Sequence, residues 1–371
     1  MFTLTKCELN KIFQKKIIFI ALFIFIILSS INIYNTFQVY NYDLYTIPDN
    51  LQKSVTQNIY ENKIKNIKDG YIYLNLTDDE KKVINTNHAI FNAKNNYDSL
   101  IIEKNSLKGN LNDILNKSTF DYRNTKLQYK MFNEIPRPYI FNEHGWNEVA
   151  HYTTQSGMLY VCILIILGIS TAVTSEYSTY MDSIIKSSRK GKKQFITAKI
   201  YAALIYTIIV SLIFTIFNSI PYLMALDTYG YDIPIQNIYD FMLSPYSLTI
   251  GQYLVVQFLV HLAGAIIFSL IVLLVSTLCR SMLTSIFLSS SIWALPLVIE
   301  QYTYVDGNTP GIIDFSLTNI IKAAPLFRTY KTYNILGYPI LYPYLVIGIY
   351  ILLVPIILYL IYYSFRNKHV Q

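Results

Sequence analysis

The sequence predicts an all-α polytopic membrane protein. Six transmembrane helices, both termini inside, carry a mainly helical extracellular domain between helices 1 and 2. Three observations predict this. The 371 residues are 53% hydrophobic and only 14% charged, where a soluble domain carries roughly 25% charged residues. The apolar residues fall in six unbroken blocks, 17–37, 157–175, 200–224, 252–278, 281–299 and 343–364, without Asp, Glu, Lys or Arg. Such runs approach the roughly 20 residues a helix needs to cross a bilayer, and their continuity excludes barrel strands. The cations, finally, gather on alternate connections, as retention in the cytoplasm requires.

The first block, "IIFIALFIFIILSSINIYNTF", follows Lys11, Lys15 and Lys16. It exceeds a signal-peptide core and no A-x-A-like site follows it, so it reads as a retained anchor. Residues 38–156 are polar and long enough for a small folded domain. Thr77 and Glu80 form a capping-box pattern there, and Val83, Asn87, His88 and Phe91 continue it at helical spacing. Leu111, Ile114 and Leu115 suggest a second amphipathic helix, and Pro136 and Pro138 mark the return to the membrane.

In "NEHGWNEVAH", His144, Glu148 and His151 would share one helical face. Imidazole and carboxylate so spaced are candidate metal ligands. Solvated juxtamembrane side chains explain the pattern as well, Gly145 weakens the helix, and Trp146 fits an interface anchor. His261 stands alone in the fourth span. A neutral imidazole bonded to a neighbouring carbonyl is its plainer reading, against a functional intramembrane group. Cys279-Arg280 reads as a tight turn, and Pro296 predicts a kink or break in the fifth span. Neither a metal spacing nor an external disulfide is expected of Cys7, Cys162 and Cys279.

Sidedness follows from charge. The segments before the first span, at 176–199, at Arg280 and at the tail together carry +10, and the three opposite segments together carry −3. The basic balance is therefore a topology signal, and nucleic acid is not an expected partner. No P-loop, nucleophile elbow, zincin or kinase signature occurs. An enzyme is not expected, and ATP-driven work would come from another chain. Paired intramembrane acids of an ion-coupled carrier are absent too.

The densest positive charge lies at 176–199, as Lys186, Arg189, Lys190, Lys192, Lys193 and Lys199. Ahead of it Tyr177, Met181, Ile184 and Ile185 form an apolar stripe at helical spacing. Glu176 suits the start of that helix and Lys186 its end. Such a helix lies on the membrane or docks into a partner's groove. The order Glu176, Met181, Ile184, Ile185, Ser187, Ser188, Arg189, Lys199 resembles the loop between the second and third spans of ABC-2-type transporter permeases. The amphipathic start "LTKCELNKIFQKK", the six spans and the semi-apolar stretch before the last span extend the resemblance over most of the chain apart from 38–156.

The resemblance implies that residues 177–187 are a coupling helix seated in a separate ABC ATPase subunit, which holds the ATP and magnesium. It implies a second permease subunit, the same or a related chain, and an exporter; the low-Gly, Lys-, Ile-, Asn- and Tyr-rich composition suggests an AT-rich bacterial genome, hence a bacterial cell membrane. The cargo would be a peptide, lipid-linked or drug-like substrate. The coupling-loop residues it assigns are Glu176, Tyr177, Met181, Ile184, Ile185, Arg189 and Lys199. The competing reading is a membrane sensor or scaffold whose external domain binds a ligand such as an antimicrobial peptide. The organisation expected is 1–37 start and first span, 38–156 external domain, 157–175 second span, 176–199 coupling loop and 200–224 third span. There follow 225–251 external loop, 252–299 fourth and fifth spans, 300–342 external loop, and 343–371 last span and tail.

Overall fold

A computed structural model describes residues 1–42, 78–136, 144–179, 181, 191–225, 230–306, 311 and 313–367. Its helices are α1 (Phe2–Phe13), α2 (Lys16–Tyr42), α3 (Asp78–Asp113), α4 (Phe120–Asn133), α5 (His144–Tyr152), α6 (Met158–Ile169), α7 (Thr174–Ser178), α8 (Gly191–Ala225), α9 (Ile250–Leu278), α10 (Met282–Asp306), α11 (Leu317–Lys322) and α12 (Tyr342–Asn367). A π-helical turn, Thr153–Gly157, joins α5 to α6. Six stretches are long and apolar enough to cross a membrane: Lys16–Gln38, Met158–Ser178, Lys193–Met224, Ile250–Leu278, Met282–Tyr302 and Tyr342–Asn367. The chain is a multi-pass membrane protein.

Burial sorts these spans into two shells. The second, third and fourth spans bury 67%, 44% and 56% of their most apolar windows, against 22%, 11% and 17% for the first, fifth and sixth. The outer helices turn side chains such as Phe23, Phe287 and Leu352 outward, which lipid accepts without penalty. Inside, Tyr206 donates its hydroxyl to Leu164 O at 2.9 Å. Its ring lies over Gly168, where a Cβ would come 2.6 Å from Tyr206 Cε1. Phe25 stacks on Tyr160 at 4.6 Å, with Phe214 beside it.

The two ends of the bundle differ. At one, α1 packs on the start of α8, and Phe195 stacks on Phe365 near the end of α12. The opposite end is roofed by residues 230–249 and 313–341. There Ile235, Ile238, Phe241, Tyr253 and Phe327 form a second core. Trp146 is buried within that core, so it is a packing residue and not the interface anchor its sequence context suggested.

Helix α11 starts with a Ser316 cap on Asn319 N and reaches deep beside α9. His261 Nδ1 meets Ile321 O at 2.7 Å. At 1.5 Å rise per residue that contact lies about 16 Å along α9 from Ile250. Gly264 admits the segment, since a Cβ there would lie 3.1 Å from Ile321 N. Thr153 donates to Lys322 O at 2.8 Å, and Gln257 donates to Ala150 O at 2.6 Å and to Thr153 Oγ1 at 2.5 Å. A polar bracket therefore stabilises the inserted turn, with His261 bonded to a neighbouring carbonyl as its plainer reading has it.

Helices α3 and α4 pack as a hairpin around Leu100, Leu107 and Phe132. A Thr119 cap on Tyr122 N starts α4. Leu111 ends up in the last turn of α3, while Ile114 and Leu115 lie in the link, with Leu115 98% exposed. The second helix thus starts later than those three residues suggested. The hairpin is fastened to antiparallel strands β1 (Thr332–Ile335) and β2 (Tyr338–Leu341), the one sheet among the described residues. Arg123 donates to Gly337 O at 3.0 Å and lies 4.3 Å from the Tyr338 ring centre. Tyr330 and Thr332 both bond Asn124.

Two further expectations meet the structure differently. Helix α10 runs unbroken through Pro296, since in a membrane helix neighbouring groups satisfy the carbonyl a proline leaves open. Residues 279–281 make the short link between α9 and α10. Thr77 lies outside the described residues.

Candidate functional site

The site begins with a break in the second span. Helix α6 ends at Ile169 and α7 resumes at Thr174. A helix end leaves carbonyls without internal partners, and cations suit that end of the helix dipole. Two lysines meet them: Lys15 donates to Gly168 O at 2.7 Å and to Thr171 Oγ1 at 2.5 Å, and Lys199 donates to Ala172 O at 2.6 Å. Ser276 Oγ accepts from Val173 N at 3.0 Å, so the restart of the helix is held by α9. Ser285 Oγ donates to Ser170 O from α10.

Around this break two carboxylates and two ammoniums close a ring. Lys199 Nζ lies 2.6 Å from Glu8 Oε2 and 3.2 Å from Glu176 Oε1. Lys11 Nζ lies 2.7 Å from Glu8 Oε1 and 3.1 Å from the same Glu176 oxygen. The Lys199, Glu8 and Glu176 side chains are only 2%, 8% and 9% exposed, while Lys11 is 53% exposed. Lys199 also lies 4.5 Å from the Phe195 ring centre.

Burial of an ion costs several kcal/mol. The ring offsets this by giving each carboxylate two ammoniums. Burial pushes the Glu8 carboxyl up, but Lys199 and Lys11 together hold it below its ordinary range. Burial likewise lowers Lys11, yet Glu8 and Glu176 raise it overall. Lys15 is different: burial, then the Lys199 charge, push it down to about 8.

Of the loop residues singled out above, Glu176 and Lys199 meet in this ring. Tyr177 donates its hydroxyl to Thr277 O at 3.3 Å. Met181 is 47% exposed. Ile184, Ile185 and Arg189 lie outside the described residues. Lys199 sits inside α8, two turns past Gly191 and buried, so the third helix begins before the apolar block does. Glu8, Lys11 and Lys15 complete the site without having been singled out. Their signal was present: Thr5, Glu8 and Ile12 are the buried face of α1, and Glu8 is the only acid among its lysines.

At the opposite end His144, Glu148 and His151 do fall on one helix, α5. His151 Nε2 lies 3.4 Å from Asp240 Oδ2, which also pairs with Arg328. Among the described residues no three His, Cys, Asp or Glu side chains gather at metal-binding distance, and the His144 side chain lies outside them.

The ring's chemistry is electrostatic. Through Glu176 and Lys199 it joins the two helices that flank residues 179–190, and through Glu8 and Lys11 it ties them to α1. No protein-family model, curated protein or solved structure matches the chain.

Proposed function

We propose that the chain is the membrane-spanning subunit of an ATP-driven exporter of the ABC-2 type. A separate ATPase subunit would press on the 176–199 loop from the cytoplasm. The spans, with those of a second permease subunit, would then move a peptide, lipid-linked or drug-like substrate outward across a bacterial cell membrane.

One observation carries this reading: the Glu176–Lys199 pair at 3.2 Å, joined to Glu8 and Lys11 of α1. These residues bracket the loop that carries the family resemblance. A loop clamped at both roots passes a push to α1, the second span and the third span together, instead of absorbing it. The sensor reading draws support from the α3–α4 hairpin and its attachment to β2 through Arg123, which offers a ligand-bearing element a firm seat.

The test is purification of the full chain in mild detergent from its native cells. An ATPase bearing a nucleotide-binding loop should accompany it, and Ile184→Asp with Ile185→Asp should release that ATPase from a protein that still elutes as a folded species. Retention of the ATPase by the double variant, or its absence from the unaltered protein, defeats the proposal. In liposomes the pair should move substrate on ATP addition; ligand binding without movement selects the sensor.

A further inference from the structure

We infer that the crevice at Lys15 is a binding site for a phosphate-bearing anion, either an anionic phospholipid headgroup or free phosphate. The site involves α1 with the link that follows it, the broken end of the second span and the start of α8, and its walls include Glu8, Lys11, Lys15, Thr171, Glu176 and Lys199. Its volume is about 40 Å³. A cavity needs about 10–15 Å³ to take one water, so the crevice has room for the non-bridging oxygens of a phosphate while the remainder stays outside.

The charge count supplies the argument. Glu8 and Glu176 are matched by Lys11 and Lys199 within the ring. Lys15 is a third ammonium in the same crevice. Both of its hydrogen-bond partners, Gly168 O and Thr171 Oγ1, are neutral, and no described carboxylate lies within ion-pair distance of it. An ammonium has three donors, so one remains for a ligand. Lys15 is half-buried and feels Glu8 only beyond ion-pair distance, so an anion at its free donor is favoured. Burial first, then the Lys199 charge, lower Lys15 to about 8 against the attraction of Glu8, and an anion beside it would oppose that shift.

The depth of the site suits lipid. Lys15 immediately precedes the Lys16–Gln38 span, which puts it at the edge of the apolar slab, where headgroup phosphates lie. The exposed Lys11 lies in the same wall and suits the same charge. This inference does not depend on the exporter reading, since the site would bind its anion whether or not an ATPase presses on the loop.

Native mass spectrometry of the full chain in mild detergent tests it, with phosphatidylglycerol and phosphatidylcholine as matched probes. The unaltered protein should hold one phosphatidylglycerol in preference to phosphatidylcholine. Lys15→Gln should weaken that adduct about tenfold, the effect of one charge-assisted hydrogen bond. Lys15→Arg and the exposed control Lys16→Gln should keep it.

Millimolar inorganic phosphate separates the sources: an adduct that resists it is a lipid site, and displacement by phosphate assigns the crevice to the soluble anion. A second measurement needs no variant. Amine acylation of Lys15, read by peptide mapping, should fall with phosphatidylglycerol or phosphate and stay unchanged with phosphatidylcholine. Equal retention of both lipids by the unaltered protein, an adduct indifferent to Lys15→Gln, or Lys15 acylation unmoved by either anion overturns the site.

Discussion

Lys199 is the residue on which the buried ring turns. Its ammonium touches Glu8, Glu176 and Ala172 O within 3.2 Å. Lys199→Met would leave two buried carboxylates to the half-exposed Lys11. Removing one partner of a buried pair costs about 3–5 kcal/mol, and Lys11 moderates the loss toward the lower end. Thermal unfolding in detergent should show a clear drop in melting temperature. Adding Glu8→Gln should recover part of it, because the neutral amide no longer needs a cation. A Lys199→Met protein that melts with the unaltered one would show the ring to be energetically idle.

Acid should act on the same ring. Glu8 has its folded carboxyl pushed below its ordinary value. Its contribution is present above the unfolded pKa and is lost as pH falls through the folded one. Lys15 works with the same sign at alkaline pH: between about 8 and the unfolded lysine value the native state has already released a proton, so stability rises with pH there as well. Both residues lie in the juxtamembrane start of the chain, which sequence reading treats as positive charge before a span and as an amphipathic start. Their distant partners are Lys199 and Gly168. Sequence spacing carries no trace of that, although the lone acid on the buried face of α1 was a usable sign.

At the scale of elements, the spans were readable because each is a charge-free run of bilayer length, and the structure reproduces all six. Connections were harder. Helix α11 is six residues long, too short to stand out, and its depth depends on Gly264 across from it. Gly264→Ala should be destabilising, since the added methyl would lie 2.9 Å from Ile321 Cγ1 and 3.2 Å from Ile321 Cα. Overpacking of this kind costs about 1–3 kcal/mol. Shortening the partner, as Ile321→Ala, should give back only part, because backbone atoms are also in the way. Hydrogen exchange at α11 reads the effect directly: faster exchange in Gly264→Ala is expected, and unchanged exchange would show that the turn has slack. The strands β1 and β2 were missed because two four-residue segments among tyrosines carry little period of their own.

For the whole molecule, the alternation of ends makes a topological prediction. Cys7 is exposed at the ring end, and Leu115 is almost fully exposed at the other. With Cys162 and Cys279 replaced by Ser, Cys7 should react with an impermeant maleimide only after cells are opened. Leu115→Cys, placed in a chain that also lacks Cys7, should react in intact cells. The reverse pattern would invert the charge-based sidedness and remove the cytoplasmic loop on which the exporter reading rests.

Strand β2 passes into α12 with no intervening residue, Leu341 to Tyr342. The far part of α12 meets α8 where Tyr362 bonds Thr197 at 2.7 Å and Phe365 stacks on Phe195. Arg123 of α4 grips the strand side of this rod. A displacement of the α3–α4 hairpin therefore has one continuous helix, with Gly348 and Pro355 in its interior, between it and the aromatic ring beneath Lys199. One element thus joins the two ends of the bundle, and under either proposed reading it would be the lever along which a ligand at the hairpin and a partner at the ring could sense each other.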